Sequence, residues 1–230
     1  MTPVFTETIT RIEFNETNCY LIKVQDQFVL IDTGWTKHRK EIEAKLEEAG
    51  CERGNLKLIL LTHGDFDHTG NCAYFKNKFD CSVAMHYDDL GMVQLGDFLW
   101  NRNVGTLTRI LFRIVIFIMR MKLRKEDRFT PDIFLEDGQD ISDLGIDAKV
   151  IYIPGHSKGS IGILTKGGDL FCGDLLVNTD VPEKNKMISD AESYDASITK
   201  VKPLGIQTVY PGHGESFTMK RFLEANQEVE

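Results

Sequence analysis

One short stretch of the chain, residues 62–70, concentrates side chains that bind metal ions. It reads Thr-His-Gly-Asp-Phe-Asp-His-Thr-Gly and follows an apolar run, residues 58–61, that is typical of a buried strand. Imidazole nitrogens and carboxylate oxygens are common metal ligands. The stretch offers four of them: His63, Asp65, Asp67 and His68. Because α/β sheets hold ligands in loops at the carboxyl ends of their strands, we expect a metal site in this loop.

Three further motifs follow other strand-like runs and bring the number of candidate ligands to seven. They are Pro154-Gly155-His156, Cys172-Gly173-Asp174 and Pro211-Gly212-His213-Gly214. Residues two apart in an extended loop point the same way, which pairs His63 with Asp65, whereas the adjacent Asp67 and His68 diverge from each other. Seven N and O donors are enough for two ions and leave an open edge for water, as a catalytic site requires. The predicted sets are His63, Asp65 and His156 for one ion and Asp67, His68 and His213 for the other, with Asp174 bridging.

Strand and helix patterns alternate along most of the chain. The predicted strands are residues 4–14, 19–24, 27–31, 56–61, 82–85, 148–153, 160–165, 169–172 and 207–210. The predicted helices are residues 37–49, 71–79, 190–202 and 217–228. Such alternation indicates an α/β fold with helices outside a mostly buried sheet. We expect one domain over residues 1–230, interrupted by a helical insertion at about 94–128.

Residues 98–128, called the basic segment below, break this alternation. They hold eight Arg or Lys and two acids, in a chain of net charge −8. At about 100° per residue, five arginines share one stripe of a helix: Arg102, Arg109, Arg113, Arg120 and Arg124. Residues 110–112 and 114–119 are large and apolar and cover most of the rest.

A helix of this composition has three interpretations. In the first it is buried against the domain or a homodimer partner, and in the second it forms a lid that lines a substrate pocket. We predict a long helix near the metal site that serves as lid, substrate wall or dimer contact. The arginines would then face solvent or an acidic ligand. A membrane-surface helix is the remaining interpretation. The longest uncharged run, residues 114–119, is far below the roughly 20 residues that a membrane span needs.

Composition and charge narrow the function classes. The 230 residues are 42% hydrophobic and 27% charged, which is typical of a soluble globular chain. The net charge of −8 argues against nucleic-acid partners. The first residues do not resemble a signal peptide, and the five cysteines include no CxxC pair. An odd number of cysteines suits free thiols in a reducing cytoplasm.

Taken together, the motifs resemble those of the metallo-β-lactamase-fold hydrolase superfamily, including its glyoxalase II-like thioesterases and lactonases. The family signature is His-x-His-x-Asp-His, then Pro-Gly-His, Gly-Asp and a last Pro-Gly-His-Gly. The resemblance runs from Asp32 to His213 and is interrupted by the basic segment. It implies a four-layer αββα sandwich, with two metal ions at one edge of the sheets.

One ligand departs from that signature. Asp65 stands where the family has a second histidine. A carboxylate there adds negative charge, and it suits harder ions than imidazole does. Flavodiiron proteins share the fold, carry an acidic residue at this place and bind iron, although this chain has no room for a flavodoxin domain. We expect two divalent ions, zinc first, with iron or manganese as the alternatives that Asp65 introduces.

The resemblance and the ligand set imply a metal-dependent hydrolase of a small-molecule ester, thioester or lactone. Two ions would hold a water between them and lower its pKa, so that hydroxide attacks the carbonyl. Asp67 would bind one ion and orient that hydroxide. Alternatives are an oxygen-using iron enzyme, a non-catalytic metal-binding sensor and a nuclease. The last usually has an additional domain and a basic surface, which this acidic chain lacks.

Two residues outside the ligand set also receive roles. Asp32, in Ile-Asp-Thr-Gly, matches the family aspartate that orients a metal ligand, and a turn-forming aspartate is the competing interpretation. Cys172, beside the Gly-Asp turn, is expected to be a small buried apolar residue.

Overall fold

The computed structural model describes residues 8–14, 17–102, 105–119 and 123–226. Parts of several predicted elements lie outside these ranges. They are the start of the first strand at residues 4–7, the end of the last helix at 227–228, and Arg120 of the arginine stripe.

A six-stranded sheet occupies the first half of the chain, with its strands in sequence order. They are β1 (Thr8–Phe14), β2 (Thr17–Val24), β3 (Gln27–Ile31), β4 (Leu56–Leu60), β5 (Ser82–Met85) and β6 (Ile133–Phe134). The first three strands pair antiparallel, and β3 to β6 pair parallel. The carboxyl ends of β3, β4 and β5 therefore meet at one edge.

The second half of the chain forms a five-stranded sheet. Its strands are β7 (Ala148–Tyr152), β8 (Ile161–Thr165), β9 (Asp169–Gly173), β12 (Thr208–Pro211) and β13 (Phe217–Thr218), in the order β13-β12-β9-β8-β7. Strand β8 is antiparallel to both β7 and β9, and β9 is parallel to β12. Strands β7, β9 and β12 thus share one direction and end at one edge. A small ribbon pairs β10 (Leu176–Val177) with β11 (Glu183–Lys184).

Seven α-helices lie within the described residues. They are α1 (Arg39–Glu48), α2 (Phe66–Thr69), α3 (Cys72–Phe79), α4 (Leu90–Leu95), α5 (Thr106–Met119), α6 (Ala191–Val201) and α7 (Met219–Ala225). Most lie close to predicted bounds. The predicted last helix begins two residues later, because Phe217 and Thr218 first pair with β12 as a short strand.

Three buried clusters show how the layers stack. Neighbouring residues of β2 alternate between them, with Leu21 in one cluster and Ile22 in the next, as side chains on opposite faces of a strand must. The first cluster joins that sheet to α1 and α3. The second lies between the two sheets, and the third joins the second sheet to α6 and α7. The order is helix, sheet, sheet, helix, which confirms the predicted αββα sandwich.

The basic segment contains a helix whose apolar side is not covered by the rest of the described chain. Helix α5 spans Thr106–Met119, whereas residues 98–102 form a loop and turn. Its apolar side faces solvent, with Leu107 81% and Ile118 71% exposed. Arg109 instead donates to the carbonyls of Leu99 and Arg102, 2.7 and 2.8 Å away.

Of the two arginines in helix α5, only Arg109 departs from the expected outward orientation, because Arg113 stays 58% exposed. Burial of the apolar side against a second chain stays a prediction. The loop before α5 offers carbonyl oxygens to Arg109 and the Asp97 carboxylate to Arg113, 2.8 Å away. Guanidinium groups hydrogen-bond to such acceptors, and apolar side chains cannot. These contacts hold Arg109 against the preceding loop, whereas the apolar side of the helix lies in solvent.

Two further observations bear on the sequence predictions. None of the helices in the described ranges is long and apolar enough to span a membrane. Cys172 is 1% exposed, as predicted, and it is one of five buried cysteines that form no disulfide.

Candidate metal centre

The seven predicted ligands come together between the carboxyl edges of the two sheets. His63 and Asp65 lie in the loop that follows β4, and the short helix α2 carries the next two ligands. His156, Asp174 and His213 follow β7, β9 and β12, which share one direction. Their donor atoms form three groups, each within 4.8 Å. The groups are His63, Asp65 and His156; Asp67, His68 and His213; and His63, His68 and Asp174.

The second of the two predicted sets, called the second subsite below, has an open geometry. Nε2 of His68 lies 3.5 Å from Nε2 of His213. Oδ2 of Asp67 lies 3.9 Å from the first of these nitrogens and 3.7 Å from the other. The Asp67 side chain is 20% exposed, and that of His213 is 21% exposed. This subsite therefore faces solvent on one side.

Asp174 lies between the two subsites and turns one carboxylate oxygen toward each. Oδ1 is 3.3 Å from Nε2 of both His68 and His213. Oδ2 is 3.6 Å from Nε2 of His156. The adjacent loop must approach closely, because a Cβ atom on Gly212 would lie 2.4 Å from Oδ1 of Asp174. This contact accounts for the glycine in Pro-Gly-His-Gly.

Buried hydrogen bonds fix the orientation of the imidazoles. Nδ1 of His156 lies 2.7 Å from the carbonyl oxygen of Met187, which can only accept, so Nδ1 carries the proton. Nδ1 of His68 lies 2.8 Å from Oδ2 of Asp32 and donates to it in the same way. In a neutral ring the other nitrogen, Nε2, then keeps its lone pair. Both Nε2 atoms point into the cluster.

Asp32 performs the orienting role that the sequence predicted, and its backbone is adapted to it. Its φ angle of 57° lies in the left-handed region, which aspartate and asparagine tolerate better than most residues. The carboxylate also accepts from the backbone N–H and the hydroxyl of Thr62, at 2.9 and 2.8 Å. The Thr62 hydroxyl in turn lies 3.0 Å from Nδ1 of His63.

The first subsite, formed by His63, Asp65 and His156, already contains a cationic group. Nη2 of Arg102 lies 2.6 and 2.5 Å from the two carboxylate oxygens of Asp65. The same nitrogen is 3.3 Å from Nε2 of His156. The side chains of Arg102 and Asp65 are 4% and 5% exposed, so the pair is buried. Asp65, which stands where the family signature has a second histidine, therefore forms an ion pair with Arg102.

The electrostatics of the cluster favour positive charge. Burial raises the pKa of Asp65, but the Arg102 guanidinium and the histidines hold it well below its usual range. Burial also raises the pKa of Asp174, and the imidazoles of His213 and His68 reverse that shift. Burial lowers the pKa of His213, yet the Asp174 carboxylate raises it to about 9. Divalent ions would supply the charge that these carboxylates attract.

Two buried atoms test whether the residues fit a metal. Nε2 of His63 and Oδ1 of Asp174 accept no hydrogen bond from the part of the chain that the structure describes. Both point into the cluster. A buried polar atom without a partner costs about 1–3 kcal/mol, so the arrangement calls for a bound group. The donor set of histidine nitrogens and carboxylate oxygens fits a divalent metal.

Two residues of the centre were not identified from the sequence as part of it. Arg102 appeared there only as a member of the arginine stripe. Asp89, which is fully buried, accepts from Gly64 N, Ser157 Oγ, Gly159 N and Asn101 Nδ2. It joins the loop of His63, the loop of His156 and the loop of Arg102. The unbalanced charge of Asp65 was the one signal that could have pointed to a cation such as Arg102.

A cavity of about 750 Å³ adjoins the first subsite. Arg102 and Ser157 form part of its wall on the side of the cluster. Trp100, Lys158 and Asp190 line other parts. The cavity is large enough for a small-molecule substrate, and Arg102 lies between it and the cluster, since it lines the cavity and contacts Asp65.

The family model described as Metallo-beta-lactamase superfamily matches residues 12–213. Among curated proteins, the chain is 25% identical over 199 residues to Beta-lactamase-like protein 2 homolog from Caenorhabditis elegans, covering 86% of this chain and 56% of that protein. It is 28% identical to Hydroxyacylglutathione hydrolase GloC from Haemophilus influenzae, over 91% of each chain. It is 26% identical to Acyl-coenzyme A thioesterase MBLAC2 from Bos taurus, over 91% of this chain and 77% of that one.

Among solved structures, the fold is similar to that of TTHA1623 in a di-iron-bound form. The TM-score is 0.71 at 25% identity, and the match covers 96% of this chain and 98% of the other.

Proposed function

The chain belongs to the metallo-β-lactamase superfamily, whose model matches residues 12–213, and from this premise we propose that it hydrolyses a small-molecule thioester or a related ester or lactone. The observation that carries the proposal is the convergence of four histidines and three carboxylates on one partly open cluster. Relatives named as a hydroxyacylglutathione hydrolase and an acyl-coenzyme A thioesterase support the bond class.

Bound divalent metal would supply a water of lowered pKa and would polarise the scissile carbonyl. The Nε2 atoms of the four histidines would hold the ions, with Asp65 in the first subsite, Asp67 in the second and Asp174 between them. We propose zinc as the resident metal. Iron is the alternative that the di-iron-bound neighbour supports.

Asp67 is the residue placed to handle the proton. Its Oδ2 accepts a long hydrogen bond, 3.4 Å, from the hydroxyl of Thr17, and its side chain is 20% exposed. A carboxylate at the open side of the cluster can accept a proton from the attacking water. It can then pass that proton to the departing thiolate or alkoxide. Buried Asp174 and Asp65 have no comparable access to solvent.

The substrate is proposed to bind in the 750 Å³ cavity beside Arg102. Trp100 offers an apolar ring there, and Lys158 a cation. Acyl-coenzyme A thioesters, aryl esters and lactones form the panel that tests this proposal on metal-loaded protein. Turnover of at least one class supports it. No turnover of any of them, with the metal present, contradicts it.

A second candidate is an oxygen-using iron enzyme. Asp65 favours it, because a carboxylate ligand makes the first subsite suit harder ions than imidazole alone does. The similar structure in a di-iron-bound form also favours it. Iron content and oxygen consumption distinguish it from a hydrolase.

We also propose that the outward side of α5 contacts an anionic lipid surface. Six large apolar side chains face solvent on it: Leu107, Ile110, Leu111, Ile114, Val115 and Ile118. Exposed Arg124, Lys125 and Arg128 follow the helix. An apolar face flanked by basic residues is typical of helices that lie in the membrane interface. A second copy of the chain would bring two such basic segments together, which charge repulsion disfavours.

A further inference from the structure

The position of Arg102 has a consequence for metal binding in the first subsite. Nε2 of His156 and Oδ2 of Asp65 lie 3.0 Å apart. With Nδ1 of His156 donating to Met187, both atoms present lone pairs to each other when the ring is neutral. Two such acceptors require a cation or a proton between them. Nη2 of Arg102, 2.5 Å from the oxygen and 3.3 Å from the nitrogen, supplies one.

A metal ion would need the same lone pairs. A neutral imidazole has a single lone pair, on its unprotonated nitrogen. Nε2 of His156 therefore cannot accept from Arg102 and bind a metal at the same time. The guanidinium always carries a positive charge, so a divalent ion beside it would also be repelled. Arginine and ion are mutually exclusive partners of His156.

The residues around Arg102 satisfy only part of the hydrogen-bonding capacity of its guanidinium group. Nη2 makes the contacts with Asp65 and His156, but buried Nε has no hydrogen-bond partner among the described residues. The Arg102 guanidinium stacks on Phe98, with its carbon 4.1 Å from the ring centroid. Because the residue also lines the 750 Å³ cavity, its side chain has room to leave the cluster without displacing the fold.

We propose that Arg102 and a metal ion compete for Asp65 and His156. The resting protein holds the arginine in the first subsite and one ion in the second. A second ion enters the first subsite only after Arg102 has moved into the cavity. This inference rests on the metal site of the proposed function, and it makes Arg102 the residue that sets how many ions the chain binds.

The test is a calorimetric titration of chelator-stripped protein with Zn²⁺ alone, followed by elemental analysis. The wild type is compared with Arg102→Gln and with the matched control Arg113→Gln, which removes an exposed arginine of the same segment. We expect one tight ion in the wild type and a second ion at least tenfold weaker. Arg102→Gln should bind two ions and raise the second affinity at least tenfold, whereas Arg113→Gln should match the wild type.

Two results would overturn the proposal. One is two ions of similar affinity in the wild type that Arg102→Gln leaves unchanged. The other is weaker binding of the second ion in Arg102→Gln, which would make Arg102 a support for the metal. The absence of any ion from all three proteins would instead refute the metal site itself, and the inference with it. If Arg102→Gln does not fold by circular dichroism, Arg102→Met keeps an apolar stem against Phe98 and replaces it in the same titration.

Discussion

Oδ2 of Asp32 lies 2.8 Å from Nδ1 of His68. The contact joins the residue that follows β3 to helix α2. Both side chains are buried. The contact fixes which imidazole nitrogen faces the cluster. Such partners of a ligand histidine typically contribute about 10- to 100-fold to metal affinity.

Asp32→Asn should weaken metal binding by about that factor, 10- to 100-fold, and leave the fold unchanged. Asparagine also tolerates the left-handed backbone at this position, so the loss would come from the missing carboxylate. Competition with a chromogenic chelator measures the affinity. Asp26→Asn, in the exposed turn between β2 and β3, is the control and should match the wild type. Equal affinity in Asp32→Asn would show that Asp32 only shapes the turn.

Asp67→Asn should abolish hydrolysis while the protein stays folded. The amide has nearly the same shape, but it cannot accept a proton from water as the carboxylate does. We expect a decrease in kcat of at least about 100-fold, in line with the usual contribution of a general base. The measurement is the initial rate on the best substrate of the panel, at equal metal content. Turnover near that of the wild type would refute the role given to Asp67.

Asp89→Asn should destabilise the protein. The change replaces one acceptor oxygen of a fully buried carboxylate by an NH2 group, which then faces an N–H donor. An unsatisfied buried donor costs about 1–3 kcal/mol, and each kcal/mol lowers Tm by about 2–4 °C in a domain of this size. Thermal unfolding by circular dichroism checks this. The exposed neighbour offers a control, since Asp88→Asn should shift Tm by less than about 2 °C.

Local patterns predicted the alternating strands and helices and the ligand loops, whereas the four-layer sandwich was implied by the resemblance to the metallo-β-lactamase superfamily. Alternating apolar residues in β2 determine which side chains enter each layer, and Gly-His and Gly-Asp turns follow strands that share one direction. The contact of Arg102 with Asp65 joins residues 37 positions apart, and Arg102 itself lies in an irregular loop. No periodicity encodes such a contact. Helix α5 shows the same limit. Its pattern revealed an apolar face and an arginine face, but not that Arg109 would donate to the carbonyls of Leu99 and Arg102.

The outward side of α5 should bind vesicles that contain anionic lipid. The double variant Ile114→Glu/Ile118→Glu places two carboxylates on this face, and we expect it to lose co-sedimentation with such vesicles. Leu223→Glu, on the exposed side of α7, is the matched control. Neutral vesicles should bind more weakly than anionic ones. A different result would assign this face to self-association. In that case neither protein would co-sediment with lipid, and the wild type would be a dimer whereas the variant would be a monomer.

The central claim is that the cluster of histidines and carboxylates carries out hydrolysis with bound metal. The most direct measurement is the rate of thiol release from an acyl-coenzyme A thioester, or from the best substrate of the panel, before and after chelation. Stripped protein is then titrated with zinc, iron or manganese. We predict that chelation abolishes turnover and that added metal restores it. Unchanged turnover by protein in which elemental analysis finds no metal above trace would contradict the account.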